Sequence, residues 1–270
     1  MSISRSDIPY LTHVWNPVVG CNQGCGYCWC GPLLKRIGAS IGCELCIENI
    51  PHVHLERLDV PGGKPKVIGV GFMTDLFGAR ADTPHFGVPL FQVACWPLQG
   101  WHSRAWVLQE IMKRMRTHPE HTFVTPTKFA NLIPDDLDPP DNWWLLATCT
   151  NQGDIEGNLS AALRLWTPGR IVFNLEPLVE GVELPGDIVG SNTVAGVVLG
   201  GMSQQGASHE PVPMHPDWVR SVRDQCAEAG VPFYFKQWSG RNPEDCPELD
   251  GRRHTALPWV GETGVTEEHE

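Results

Sequence analysis

Apolar residues in this chain fall into short β-rich runs separated by stretches with helical periodicity. The runs predict strands at about 13–19, 67–72, 122–125, 144–148, 171–175, 194–199 and 232–235. Between them, residues 103–118 repeat apolar side chains at Val107, Ile111 and Met115, with Leu108 and Met112 alongside and Ser103 as N-cap. A second helix follows Pro216, a residue suited to a first turn; its stripe is Trp218, Val222 and Cys226, and Gly230 ends it. Cys226 is therefore expected in the core. Strands alternating with helices predict an α/β fold of parallel βα units.

Several strand candidates end in a polar residue. Asp75 follows the second, Lys128 the third, Thr148 with Thr150 the fourth, Glu176 the fifth, Ser203 the sixth, and Lys236 with Gln237 the seventh. In a parallel β/α barrel the carboxyl ends of the strands share one face, where active sites lie. One rim is thus expected to collect two carboxylates, two lysines and several hydroxyls. Two stretches, 31–65 and 83–101, break the rhythm and read as irregular insertions, the second as a lid or substrate wall near the rim.

The 270 residues are 41% hydrophobic, enough for one large domain. Residues 1–240 are read as that domain and 241–270 as a C-terminal extension, partly disordered, whose acidic end spans 262–270. No apolar run of about 18 residues and no basic-then-apolar leader occurs, so neither a membrane span nor a signal peptide is expected. Ten cysteines without such a leader point to a reducing cytoplasm and to metal ligation, not to disulfides. The net charge of −11 argues against a charge-driven grip on nucleic acid, which draws on Lys and Arg facing phosphates. A local basic groove on an acidic body stays open.

The most informative chemistry is the C-x3-C-x2-C run of Cys21, Cys25 and Cys28. Three thiolates from one loop can hold three irons of a [4Fe–4S] cluster and leave the fourth open. Positions i, i+4 and i+7 also share a helix face, so three core cysteines would look the same. The interleaved Gly20, Gly24 and Gly26 disfavour a helix and suit a loop wrapped around a cluster. Zinc, which wants four ligands, is the other alternative. Elsewhere Cys43-x2-Cys46 is a close pair that Cys30, His52 or His54 could complete into a small zinc or auxiliary metal site; free thiols in a loop are the plainer reading. Cys95, Cys149 and Cys246 follow no pattern and read as structural or incidental.

The triplet, with Tyr27 before its last cysteine, resembles the signature of the radical SAM superfamily. Further segments are similar to one phage-associated branch of it, mostly catalogued as a domain of unknown function. They are Trp15-Asn16-Pro17-Val18, Phe72-Met73-Thr74-Asp75-Leu76-Phe77, Thr127-Lys128, Leu175-Glu176-Pro177-Leu178, Gly200-Gly201, Met214-His215-Pro216-Asp217-Trp218-Val219-Arg220 and Val231-Pro232-Phe233-Tyr234-Phe235-Lys236-Gln237-Trp238. The resemblance runs from about residue 12 to 240. It implies a partial (β/α)6–7 barrel whose [4Fe–4S] cluster, held by Cys21, Cys25 and Cys28, binds S-adenosylmethionine at its open iron. It further implies that one electron splits the bound sulfonium and that the 5′-deoxyadenosyl radical takes a hydrogen from the substrate. Tyr27 would pack beside the cluster near the adenine. Thr74 and Asp75 stand where many superfamily members carry a Gly-Gly-Glu stretch, and Asp75 would face the methionine amine, or else cap a helix.

Glu176 would meet the ribose or orient the substrate, with Thr148 and Ser203 lining the cofactor site. Lys128 and Lys236 would meet a carboxylate or phosphate, or pair with Asp75 and Glu176 structurally. Gln237 and Trp238 would read a base, or Trp238 would belong to the core. By analogy with phage pathways, the expected reaction is a rearrangement or other modification of a nucleobase, or of an amino acid attached to one, in phage DNA, in the host cytoplasm, with a flavodoxin or ferredoxin as electron donor. The alternatives are a radical SAM enzyme acting on a small molecule or peptide, and a non-catalytic metal-binding interaction module.

Overall fold

The computed structural model describes residues 3–21, 23–78, 90–93, 100–186, 193–204 and 210–259, with backbone alone for 90–93 and 100–102. Among the described residues there are twelve strands: β1 (Ile3–Arg5), β2 (His13–Trp15), β3 (Val18–Val19), β4 (His52–Val53), β5 (Val67–Val70), β6 (Leu90–Val93), β7 (Gly100–Ser103), β8 (Thr122–Thr127), β9 (Trp143–Thr148), β10 (Ile171–Leu175), β11 (Val194–Gly200) and β12 (Phe233–Gln237). The main sheet has eight of them in the order β1-β2-β5-β8-β9-β10-β11-β12. From β2 to β12 every pairing is parallel and every strand is next to its successor, while β1 is antiparallel at the edge.

The connecting helices α3 (Arg104–Thr117), α4 (Gln152–Asp154), α5 (Ser160–Leu165) and α6 (Pro216–Ala229) follow α1 (Cys30–Ile41) and α2 (Glu44–Ile47) in the chain. A π-helical stretch, Ile155–Leu159, joins α4 to α5. Side chains of α3, α5 and α6 bury themselves against one sheet face, with Trp15, Phe123, Trp143, Phe173 and Phe235. The opposite face carries Val124, Trp144, Leu146, Val172, Val198 and Tyr234, covered by Tyr10, Leu11 and Trp259. Among the described residues the strand order is sequential and α3, α5 and α6 share one face, unlike a doubly wound sheet. No pairing joins β12 to β1 among the described residues, so the sheet stays open.

The expected helices form with their expected caps. Ser103 accepts the Trp106 N–H at the start of α3, and Gly230 takes a left-handed φ of 68° after α6. Cys226 is fully buried, but the stripe on α6 is Val219, Val222 and Cys226; Trp218 is only partly buried, its ring against Gly181.

Three expectations need correction. The run 13–19 is two strands in different sheets, because Pro17 has no N–H to continue a ladder. Residues 31–65 are not irregular: they hold α1, α2, β4 and a 3-10 turn at Leu55–Arg57. Within 83–101, β6 and β7 pair antiparallel and complete a second sheet ordered β3-β4-β6-β7. The rest of the stretch expected to act as a lid or substrate wall, 83–89 and 94–99, lies outside the described residues, as do Cys95 and the acidic tail. Residues 241–259 are woven into the sheet: Phe235 N–H donates to His254 O at 2.8 Å, and Trp259 is buried against Trp144. No helix among the described residues is long and apolar enough to cross a membrane.

Candidate functional site

The cysteine loop begins where β3 stops. Gly20 and Gly24, just before Cys21 and Cys25, adopt left-handed φ values of 89° and 68°, which glycine takes at little cost. Asn49 clamps its start: Cys21 N–H donates to Asn49 O (3.1 Å) and Oδ1 (3.2 Å), and Asn49 Nδ2 donates to Cys21 O (2.7 Å). Further along, Cys28 N–H donates to Cys25 O at 3.0 Å and Cys30 N–H to Cys28 Sγ at 3.4 Å. All three thiols are half-buried, and no helix contains them. Burial pushes the Cys21 thiol up to about 11, with the charges of Asp75, Cys28 and Cys25 adding to it. A buried thiol whose ionisation is penalised in this way is a donor that a cationic centre would relieve.

This loop lies over the carboxyl ends of β5, β8 and β9. A Cβ on Gly78, after β5, would come within 2.7 Å of Gln23 Nε2. Lys128, after β8, holds Nζ 5.6 Å from the centre of the Tyr27 ring. Burial, the Cys25 thiol and the charge of Asp154, after β9, all raise the Tyr27 phenol.

Asp75 caps no helix among the described residues; its carboxylate closes the turn that follows it. Its Oδ1 accepts from Phe77 N (3.1 Å), Gly78 N (2.9 Å) and Thr127 Oγ1 (2.8 Å), and its Oδ2 accepts from Lys128 N (2.9 Å). It ties the end of β5 to the end of β8. Burial raises its pKa, and those donors offset part of the rise. Thr74 closes the preceding turn, its N–H on Gly71 O at 3.2 Å.

Farther round, Thr148, Asn174, Glu176 and Lys236 share the sheet face that carries Tyr10 and Trp259, since each is an even number of residues from Leu146, Val172 or Tyr234. Asn174 Nδ2 donates to Thr148 Oγ1 at 3.1 Å, while buried Asn174 Oδ1 has no hydrogen-bond partner among the described residues. Lys236 Nζ pairs with Glu176 Oε1, so the structural ion pair is the one formed. Burial, then the charges of Glu176 and Tyr234, raises the Tyr10 phenol. Gln237 Nε2 donates to Gly201 O at 2.9 Å and Trp238 packs edge-on against Phe235 at 4.7 Å. Ser203 pairs through its backbone with Gly240.

A second cluster forms between α2 and β4. One ligand atom each from Cys43, Cys46, His52 and His54 lies within 4.8 Å of all the others, a set that could hold a metal such as zinc. Cys30, expected among these ligands, is not one of them. It opens α1 with its thiol in the core, donating to Met73 O at 3.4 Å, and His52 takes its place. Burial lowers the His52 imidazole to about 4 and also lowers His54, which keeps both as neutral donors.

A family model described as a protein of unknown function, DUF5131, matches residues 101–258. The chain belongs to the DUF5131 family. No curated protein and no solved structure was found to match it. The DUF5131 span covers β8 to β12 with Lys128, Thr148, Glu176 and Lys236; the cysteine loop and the four-ligand cluster precede it. Three residues that contact this candidate site carry no motif of their own: Asn49, Tyr10 and Asn174. The only sequence signal for them was proximity, Asn49 between two metal-type residues and Asn174 two before Glu176.

Proposed function

We propose that this protein is a radical SAM enzyme in which Cys21, Cys25 and Cys28 hold a [4Fe–4S] cluster with one iron left for S-adenosylmethionine. The observation that carries this reading is the position of the triplet: a glycine-bearing loop over the carboxyl ends of three successive strands in a singly wound parallel sheet. Thiol ligands suit iron–sulfur clusters, and the N–H bond to Cys28 Sγ is of the kind that tunes them. When bound, the reduced cluster supplies the electron that cleaves S-adenosylmethionine to methionine and a 5′-deoxyadenosyl radical.

The protein's own residues bind and orient. Lys128 offers a cation beside Tyr27, apt for the carboxylate of S-adenosylmethionine. Asn174 Oδ1 is a buried acceptor in search of a donor, which a ribose hydroxyl or an adenine amino group provides. Thr148 fixes that amide, and Lys236 fixes the Glu176 carboxylate at the same mouth. Asp75 positions the floor beneath the loop.

The substrate class follows from the resemblance to phage-associated enzymes: a nucleobase, or an amino acid attached to one, in DNA hypermodification. A base within a duplex would be flipped out to reach the site. The charge of −11 favours a second reading, a nucleotide or other small molecule. Anaerobic reconstitution tests the core of the proposal. Addition of dithionite and S-adenosylmethionine is expected to release 5′-deoxyadenosine, and the Cys21→Ala/Cys25→Ala/Cys28→Ala variant is expected to release none and hold no iron. A colourless, iron-free wild type sinks the reading and leaves a non-catalytic metal-binding module.

A further inference from the structure

We infer that Cys43, Cys46, His52 and His54 form a closed tetrahedral zinc centre, distinct from the cysteine triplet, that seats the triplet loop. The edges of the site match the metal. Zinc bonds of about 2.0–2.1 Å to nitrogen and about 2.3 Å to sulfur give tetrahedral N···S edges of roughly 3.5 Å. The four N···S distances are 3.5, 4.0, 3.4 and 3.4 Å. The two Nε2 atoms are closer, at 2.9 Å, and zinc would spread them slightly.

The outer contacts settle which atoms face the centre. His52 Nδ1 is 2.7 Å from Ile50 O and His54 Nδ1 is 3.0 Å from Glu56 Oε1. Both partners are acceptors, so each Nδ1 carries its ring's proton and each Nε2 presents a bare lone pair. Two lone pairs face each other with no proton to share, beside two sulfurs, and a cation among them removes the conflict. A carbonyl and a carboxylate behind the two imidazoles are the usual second layer of a zinc site. Two thiolates and two imidazoles select zinc among common metals, and four protein ligands leave no open position, so the centre is structural.

Its mechanical consequence follows from the chain. Asn49 and Ile50 lie between the second and third ligands. Asn49 grips Cys21, and β4, which carries His52, pairs with β3, which runs into Cys21. The local core is small: Val19, Cys30, Leu34, Cys46 and Met73. A centre bracketing 43–54 therefore holds the seat of the triplet where little apolar burial does.

Metal analysis of the full chain, purified without chelators from zinc-supplemented medium, tests this. The protein is expected to hold about one zinc per chain, as a four-ligand site requires. The triple alanine variant of the triplet is expected to lose iron and keep zinc, whereas His52→Ala loses zinc. Because His52→Ala could fail to fold, the triple variant is also loaded with cobalt(II), where a tetrahedral visible spectrum is expected. Glu56→Gln, outside the ligand set, is expected to weaken zinc about 10- to 100-fold. Asn49→Ala is expected to keep zinc while iron incorporation falls.

A triple variant with no zinc and no tetrahedral cobalt spectrum overturns the centre. Full iron in Asn49→Ala, or in zinc-stripped protein, overturns the seating role. A wild type with zinc and no iron would instead sink the radical reading and leave this one standing.

Discussion

Replacing Gly20 with alanine probes the joint between the two cysteine-bearing regions. A Cβ at that position would stand 2.2 Å from Ile50 O, 2.5 Å from Ile50 C and 2.9 Å from Pro51 N. Ordinary contact begins at 3.4 Å, so the first gap falls short by 3.4 − 2.2 = 1.2 Å. All three obstructing atoms are backbone, and no rotamer change relieves them. The φ of 89° adds a left-handed penalty of about 1–2 kcal/mol for a residue with a Cβ. Overpacking adds about 1–3 kcal/mol, for a total of about 2–5 kcal/mol.

Gly42→Ala is the control: its φ is 68° but nothing lies within 4 Å, so only the backbone penalty of about 1–2 kcal/mol applies. Urea unfolding of both variants, with iron and zinc counted per chain, gives the comparison. Gly20→Ala should be the less stable and should lose iron, since separating Gly20 from Ile50 loosens the Asn49 clamp. Equal destabilisation of the two variants, with metal content intact, would refute the account.

Other perturbations isolate other contacts. Glu176→Gln leaves the largely buried Lys236 without its counter-charge; side-chain exposures of 13% and 19% put the loss at about 2–4 kcal/mol, below that of a fully buried pair, and Glu176→Leu/Lys236→Met should recover part of it in thermal unfolding. Thr125→Val strands the buried Trp143 indole N–H, which donates to Thr125 Oγ1 at 2.7 Å, and should cost about 1–3 kcal/mol in chemical unfolding. Ser103→Ala removes the α3 cap and should cost about 0.5–2 kcal/mol. Asp250, bonded to Arg220 and Arg223, is held down to about 2. A depressed carboxylate stabilises above its unfolded value of about 3.9 and loses that contribution as pH falls through the folded value. The stability gap between wild type and Asp250→Asn should therefore close between about pH 4 and pH 2 in acid unfolding; a constant gap would show that the ion pairs do not contribute.

Much of the framework was legible in local pattern. The strand at 171–175 formed with the expected bounds, and β8, β9, β11 and β12 lie within two residues of theirs, because a run of β-branched and aromatic residues between turn signals is a short-range property. Caps at Ser103 and Gly230 were readable for the same reason. The insertion 31–65 was not, since α2 and β4 are too short to show a period and are held by pairing with β3 and by the cluster of cysteines and histidines.

The sequence by itself determined most strands of the main sheet, helices α3 and α6, their alternation, the spacing of the cysteine triplet and the residues that end those strands. Only the tertiary structure decided which of these meet. His52 displaces Cys30 at the four-ligand cluster because β3–β4 pairing turns His52 and His54 to one side, while α1 draws Cys30 into its buried face beside Leu34. Glu176 finds Lys236 because their strands flank β11 and both side chains rise on the same face. Periodicity is a property of neighbours along the chain; convergence depends on register and on competition for hydrogen bonds, which a linear pattern does not carry.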